Sequence, residues 1–226
     1  MNFKKAAFAI AGFTIALSAF AAPGKALVIG SKNYTDTFAV WLGMKGYSVD
    51  KSTQKNTEKE WKRQGYVVPG GEELSKYKLV VITPLANVES GHTETIVNYV
   101  KNGGIFMMNY DALNRTHERT KEFGFGICGF DKIKQQFLRP YPKAGPMTHK
   151  FKYTGKMGKK HEFEIKTLMT YYASDLVDAE PLIVNEAFPG LAIATVTQFD
   201  KGKFIYFGSE NRQCFYDIID ACAPAK

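Results

Sequence analysis

Three residues that can take part in acid–base chemistry, Asp111, His117 and Glu210, lie at or near the predicted ends of strands. Asp111 directly follows the apolar stretch IFMMNY, and Glu210 comes shortly after the apolar stretch KFIYF. His117 lies about two turns into the helix predicted after Asp111. Because ligands of open α/β sheets bind beyond the carboxyl ends of the strands, these three side chains are candidate catalytic groups. The chemistry they suggest is hydrolysis of a glycan or a related polar substrate.

The same strand ends carry the residues of a predicted ligand-binding rim. These residues are Ser31 and Asn33 after the first strand, Asp111 and Asn114 after the fourth, and Glu210 and Arg212 after the last. Their carboxylate, amide and guanidinium groups favour a polar small molecule or a glycan as the ligand. A purely structural explanation stays open, in which Asp111 caps the following helix and Glu210 pairs with Arg212 at the surface. In that case His117 is an ordinary exposed helix residue.

The sequence predicts neither a cofactor nor a metal. The stretch GFGICG, residues 124–129, has the spacing of a dinucleotide-binding loop. That loop must follow a strand and open a helix, whereas here a helical stretch precedes the glycines and a predicted strand follows them. No pair of cysteines or histidines has the spacing of metal ligands.

The three cysteines leave two alternatives open. Cys214 and Cys222 lie on one predicted C-terminal helix, NRQCFYDIIDAC. The helical rise separates them by about 12 Å, whereas a disulfide needs Cα atoms within about 7 Å, so they cannot bridge each other. Either Cys128 pairs with one of them, or all three are buried free thiols.

Residues 1–21 have the pattern of a secretory signal peptide: a lysine-containing start, a short apolar run, and small residues before a cut at Ala22. An uncleaved anchor is the alternative, and no later segment is long and apolar enough to cross a membrane. We therefore expect residues 22–226 to form one periplasmic or secreted domain. Loss of two lysines with the signal lowers the formal charge from +8 to +6. With 45% hydrophobic residues the chain is neither disordered nor fibrous.

Strands and helices alternate along the first half of the chain. KALVIG, YSVDKST, KLVVITP and IFMMNY predict strands, and the segments between them predict helices, one around Trp61 and one beginning at Ser90 and ending at Gly103. This order predicts an α/β fold with a doubly wound, mainly parallel sheet. Later alternation predicts two added hairpins, turning at Gly155–Gly158 and at Asp200–Gly202, and then a last helix.

Two segments carry a resemblance to a known superfamily. They are YKLVVITPLANVESGHTETIVNYVKNGGIFMMN, residues 77–109, and KGKFIYFGSEN, residues 201–211. They resemble the class I glutamine amidotransferase-like superfamily, including its trehalose-utilisation-type branch. The resemblance covers about half of the chain after the signal and implies an amidotransferase-like or flavodoxin-like layered sheet.

The chain departs from that superfamily at its catalytic positions. The resemblance implies a cysteine at a tight turn after the fourth strand, but residues 109–112 read Asn-Tyr-Asp-Ala. It also implies a His-Pro-Glu after the late strand, where this chain has Gly208, Ser209 and Glu210, so only the acid matches. Without nucleophile and base, acyl transfer loses both of its steps. We therefore predict a pseudoenzyme, an exported binding or accessory protein, with the glycan hydrolase above as the alternative.

A lysine cluster surrounds the first predicted hairpin. Its members are Lys143, Lys150, Lys152, Lys156, Lys159, Lys160 and Lys166. The Lys150 to Lys166 hairpin, with aromatic residues between its lysines, is a candidate surface for an anionic polymer or the cell envelope, without specific nucleic-acid recognition. Strict alternation supports a simpler interpretation, in which the lysines line the solvated face of a half-buried hairpin.

Overall fold

The computed structural model describes residues 24–55, 65–88, 90–109, 112, 125–136, 147–158, 162–167 and 170–226. The strands are β1 Lys25–Ile29, β2 Ser48–Ser52, β3 Leu79–Ile82, β4 Ile105–Asn109, β5 Phe130–Gln136, β6 Met147–Tyr153, β7 Glu162–Thr167, β8 Thr170–Leu176, β9 Glu180–Asn185, β10 Ala192–Phe199 and β11 Gly202–Phe207. The helices are α1 Lys32–Met44, α2 Gly71–Leu74, α3 Thr93–Lys101, α4 Phe125–Cys128 and α5 Arg212–Cys222.

The predicted α/β class is confirmed, but the sheet is mixed rather than mainly parallel. Its strand order is β2-β1-β3-β4-β11-β10-β9-β6-β7, and β8 joins β10 to β5. Pairing is parallel from β2 to β11 and antiparallel in the rest. The difference arises from the connections, because antiparallel neighbours need only a short turn. Only six residues separate β9 from its neighbour β10, and only two separate β10 from β11.

Helices cover both faces of the parallel part, as a doubly wound sheet requires. Alternate residues of β1 divide between two buried clusters, with Val28 in one and Leu27 in the other. Phe38 of α1 and Phe215 of α5 join the first cluster, with their ring centroids 5.1 Å apart. Ile96 of α3 joins the second. The first face is therefore the α1/α5 face, and the second is the α2/α3 face.

Most of the local predictions for the described residues are confirmed. The hairpins β6–β7 and β10–β11 form, and α3 ends just before Gly103, whose φ is +104°. The predicted cap at Ser90 is wrong, because a turn of 3₁₀ helix precedes α3 and places His92 at its N-cap. The predicted helix around Trp61, the helix after Asp111 and the signal at 1–21 lie outside the described residues.

Lys150 and Lys156 of the first hairpin follow the simpler interpretation. Along β6, Phe151 is buried and Lys150 is exposed. The Lys150 Nζ lies 3.9 Å from a carboxylate oxygen of Glu164 on β7, and the Lys156 Nζ lies 2.8 Å from one of Glu180. These acidic partners offset part of the positive charge, so binding to an anionic surface stays a prediction. Lys143, Lys159 and Lys160 lie outside the described residues.

All three cysteines are buried, and none of them forms a disulfide. Cys214 and Cys222 belong to the α1/α5 face, whereas Cys128 belongs to the α2/α3 face. The sheet therefore lies between Cys128 and both possible partners. Of the two alternatives, the one without a disulfide holds. Among the helices described here, none has the length and apolar character needed to span a membrane.

Candidate functional site

The carboxyl ends of the parallel strands form the candidate site. The chain leaves β1 through α1 toward β2 on one side, and leaves β3 through α3 toward β4 on the other. Connections that diverge in this way open a crevice between β1 and β3, where ligands of such sheets bind. We call this region the carboxyl edge, and it comprises Gly30–Ser31 after β1, Thr83–Asn87 after β3, Asn109 at the end of β4, and Gly208–Asn211 after β11.

Among the described residues, three buried polar atoms at the carboxyl edge have no hydrogen-bond partner. They are Oγ1 of Thr83, Nδ2 of Asn87 and Oδ1 of Asn109. The other side-chain atom of Asn109 is satisfied, because Nδ2 donates to the backbone oxygen of Ser209 at 3.2 Å. An unsatisfied buried polar group costs about 1–3 kcal/mol. Three such groups at one edge of a sheet therefore indicate a place that a polar ligand or water completes.

The side chains of Thr83 and Asn109 lie on the same face of the sheet, the α1/α5 face. Val81 and Met107 belong to the α1/α5 face, and Thr83 and Asn109 continue their alternation two residues later. Gly30 allows this arrangement, because a Cβ built on it would lie 1.8 Å from the Thr83 Oγ1. The Thr83 hydroxyl therefore lies against the connection from β1 to α1.

Ser31 and Asn33 follow β1, as predicted, and the structure places them at the start of α1. Ser31 occupies the N-cap position, but its side chain makes no capping hydrogen bond. Asn33 is exposed, and its backbone oxygen accepts a hydrogen bond from the Thr37 hydroxyl at 3.0 Å. Both positions therefore border the carboxyl edge from the α1/α5 face.

A small ion cluster stands beside the first turn of α1. Lys32 and Lys51 donate to the two carboxylate oxygens of Asp36 at 2.7 and 2.6 Å. These two hydrogen bonds lower the pKa of Asp36 to about 2. The hydrogen bond to Asp36 in turn raises the pKa of Lys32. With two lysines around one aspartate, the cluster carries a net positive charge.

Glu210 and Arg212 do not pair in the described structure. The Tyr34 hydroxyl donates to Oε1 of Glu210 at 3.2 Å, which joins α1 to the loop after β11. The Arg212 guanidinium instead lies 5.8 Å from the ring centroid of Tyr216. Asn211 caps α5, because its Oδ1 accepts a hydrogen bond of 3.0 Å from the backbone N–H of Cys214.

Three predicted site residues, Asp111, Asn114 and His117, lie outside the described residues. The acid–base rim formed by Asp111, His117 and Glu210 therefore stays a prediction. Within the described part of the chain, no group of histidine, cysteine and acidic side chains has the arrangement of a metal site.

A buried polar group around His149 was not predicted from the sequence. The Nδ1 atom of His149 lies 3.1 Å from the Tyr172 hydroxyl, and Asn185 Nδ2 donates to that hydroxyl at 2.9 Å. Burial lowers the pKa of His149, so this imidazole is neutral at pH 7. These residues lie far apart in the sequence on β6, β8 and β9, and no local pattern brings them together.

Comparisons with known proteins concern the fold. No family model matches the chain. No curated protein matches it in sequence. The structure is similar to Gan42B, a GH42 β-galactosidase of G. stearothermophilus, with a TM-score of 0.58 and 18% identity over 88% of this chain and 29% of that one. The chain thus spans about three tenths of the length of that protein.

Two similar structures match over most of their own length. One is a putative ThuA-like protein of Bacteroides uniformis, with a TM-score of 0.57 and 14% identity over 88% of this chain and 90% of that one. The other is the mmIFT52 N-terminal domain, with a TM-score of 0.54 and 13% identity over 87% and 95%. At these identities the likeness shows the fold alone. The ThuA-like match fits the resemblance to amidotransferase-like proteins at the level of architecture.

Proposed function

We propose that this chain is an exported binding or accessory protein that holds a polar ligand at the carboxyl edge and has no catalytic activity of its own. The observation that carries the proposal is the set of buried, unpartnered polar atoms on Thr83, Asn87 and Asn109. Such groups lower the stability of the free protein and are satisfied when a ligand supplies the missing hydrogen bonds.

The cysteines support a non-catalytic role. An acyl-transfer nucleophile must be an accessible thiolate, yet Cys128, Cys214 and Cys222 are all buried. Burial raises the pKa of Cys128 and of Cys222, which keeps both thiols protonated at neutral pH. At the end of β11, where the superfamily has its base, this chain has Gly208 and Ser209.

Thermal unfolding of residues 22–226 with candidate ligands tests the proposal. We expect at least one polar small molecule, from a panel of sugars, sugar acids and hydroxy acids, to raise Tm by about 5–10 °C at a hundredfold excess over its Kd. Thr83→Val, which removes one unpartnered hydroxyl, should weaken this effect. Thr195→Val, which alters a buried threonine in the middle of β10, should not.

Two results of the same experiment would contradict the binding proposal. If no molecule of the panel raises Tm, or if both threonine variants respond like the native protein, the binding proposal is wrong. Hydrolysis of a glycan that disappears in Glu210→Gln would instead support the alternative hydrolase, since the Tyr34 hydroxyl holds the Glu210 carboxylate at this edge.

The proposed export of the protein can be tested separately. We expect the full chain, expressed with its own N-terminus in a Gram-negative host, to be recovered from the periplasm or medium. Its intact mass should correspond to a chain that begins at Ala22, because small residues precede that position. A full-length product that stays in the cytoplasm or the membrane would contradict the exported part of the proposal.

A further inference from the structure

We infer that the ligand of the carboxyl edge carries an anionic group, a carboxylate or a phosphate, which binds at the N-terminus of α1 between Ser31 and the Thr83 hydroxyl. This inference rests on the proposed function, because it names the chemistry of the ligand bound at the same site. It is carried by the backbone at the start of α1, by the Thr83 hydroxyl and by the charge around both.

The first turn of α1 offers two backbone donors without an acceptor among the described residues, the N–H groups of Lys32 and Asn33. The first backbone hydrogen bond of this helix runs from the N–H of Thr35 to the oxygen of Ser31 at 2.9 Å. The N–H groups at the very start of a helix have no acceptor within the helix. Ser31 occupies the N-cap of α1, but its side chain accepts no hydrogen bond from the helix N–H groups. At the N-cap of α5, by contrast, the Asn211 side chain accepts one from the N–H of Cys214. The N-terminus of α1 is therefore open to an external acceptor.

The Thr83 hydroxyl is the independent second observation. Its side chain is completely buried, Oγ1 has no partner in the described part of the chain, and the hydroxyl lies against Gly30, one residue before the N-cap. A threonine hydroxyl can donate a hydrogen bond to an anion that the helix amides also bind. The unpartnered Oδ1 of Asn109, on the same face, is an acceptor and suits a hydroxyl elsewhere on the ligand.

The charge at this position favours an anion. Lys32 and Lys51 share the single carboxylate of Asp36, which leaves one positive charge in excess beside the helix. The positive end of the helix dipole adds to it. Among the described residues of the carboxyl edge, Glu210 is the acidic one, and its Oε1 accepts from the Tyr34 hydroxyl. The expected ligand is thus a small polar molecule with an anionic head and hydroxyl groups.

Titration with defined anions tests the inference. Residues 22–226 would be titrated with sodium phosphate and with sodium gluconate, against sodium chloride at equal ionic strength, while Tm and the amide ¹⁵N shifts of α1 are followed. We expect phosphate or gluconate to raise Tm above the chloride control and to shift the first-turn amides. The stronger response identifies the head group as phosphate or carboxylate.

Two aspartate variants form the matched pair. Ser31→Asp places a carboxylate at the N-cap, where it accepts from the first-turn amides, so it should raise Tm without ligand and weaken anion binding by about tenfold. Ser48→Asp makes the same charge change at the exposed amino end of β2 and should leave the anion affinity within about twofold. Thr83→Val should weaken binding several-fold.

The outcomes separate this inference from the broader proposal. If the anions act no more strongly than chloride while a neutral sugar raises Tm, the anion site is wrong and the binding function stands. If Ser31→Asp and Ser48→Asp weaken anion binding equally, the effect is general charge screening and the site is also wrong. If no small molecule raises Tm, both proposals fail.

Discussion

Replacement of Gly202 by alanine is expected to lower the free energy of unfolding by about 3 kcal/mol. A Cβ at this position would lie 2.1 Å from the backbone oxygen of Val100 and 2.3 Å from that of Gly104. Both atoms belong to the backbone, which cannot move aside as a flexible side chain can. Gly202 is also fixed by its own strand, because it pairs with Phe199 in the β10–β11 hairpin. The added methyl group must therefore push β11 away from the end of α3.

Urea denaturation of the native protein and of two glycine variants measures this effect. Gly190→Ala is the matched control, because a Cβ there meets no atom within 4 Å and its φ lies outside the left-handed region. Its unfolding free energy should stay within about 1 kcal/mol of the native value. Equal stabilities of Gly202→Ala and Gly190→Ala would show that β11 and α3 do not approach as closely as described.

The parallel part of the sheet was predictable because its signals are local. β1, β3 and β4 are short apolar runs that are buried on both faces, as their near-continuous hydrophobicity predicts. The end of α3 was predictable for the same reason, since Gly103 adopts a φ that other residues avoid. A window of about ten residues contains all of this information.

The antiparallel part was less predictable because its order depends on distant pairing. Alternation indicated the β6–β7 hairpin, but nothing in those strands shows that β6 also pairs with β9. Likewise, β8 joins the sheet through a pairing of Ala173 with Ala192. Such contacts follow from how the whole chain packs and leave no trace in a short window.

The strand ends named in the sequence cover only part of the carboxyl edge that the structure describes. The sequence placed Ser31, Asn33, Glu210 and Arg212 at the carboxyl edge, yet it omitted the residues after β3. Thr83 and Asn87 also follow a predicted strand, in KLVVITPLAN, and could have been named for the same reason as the other strand-end residues. The sequence could not show that the polar atoms of these residues lack hydrogen-bond partners, because this depends on every side chain and backbone group packed around them.

Replacement of Asp217 by alanine is expected to cost about 3 kcal/mol of stability, which lowers Tm by roughly 6–12 °C in a domain of this size. Asp217 is only 3% exposed on α5, and its carboxylate accepts hydrogen bonds from the Tyr153 hydroxyl of β6 and from Gln213. Its removal deprives a buried tyrosine hydroxyl of its carboxylate acceptor and loosens the contact between α5 and the antiparallel strands.

Asp220→Ala provides the control on the same helix. Asp220 is exposed and accepts from Lys45 at 2.7 Å, so its loss should cost less than about 1 kcal/mol. Tyr153→Phe combined with Asp217→Ala completes a double-mutant cycle, in which a coupling of about 1–2 kcal/mol is expected. Additive effects of the two substitutions, or equal costs for the two aspartates, would contradict the assigned hydrogen bond.

The pH dependence of stability provides a further check on the same pair. Burial and the hydrogen bond to Asp217 raise the pKa of Tyr153 in the folded protein. The unfolded chain releases this proton near pH 10, so the contribution of Tyr153 is complete below that pH and is lost as the pH rises above it. Tyr47 and Tyr77, with pKa values raised to about 12, add to the same loss. Tyr153→Phe should therefore make the decline above pH 10 shallower without abolishing it, because it removes only one of these ionising groups.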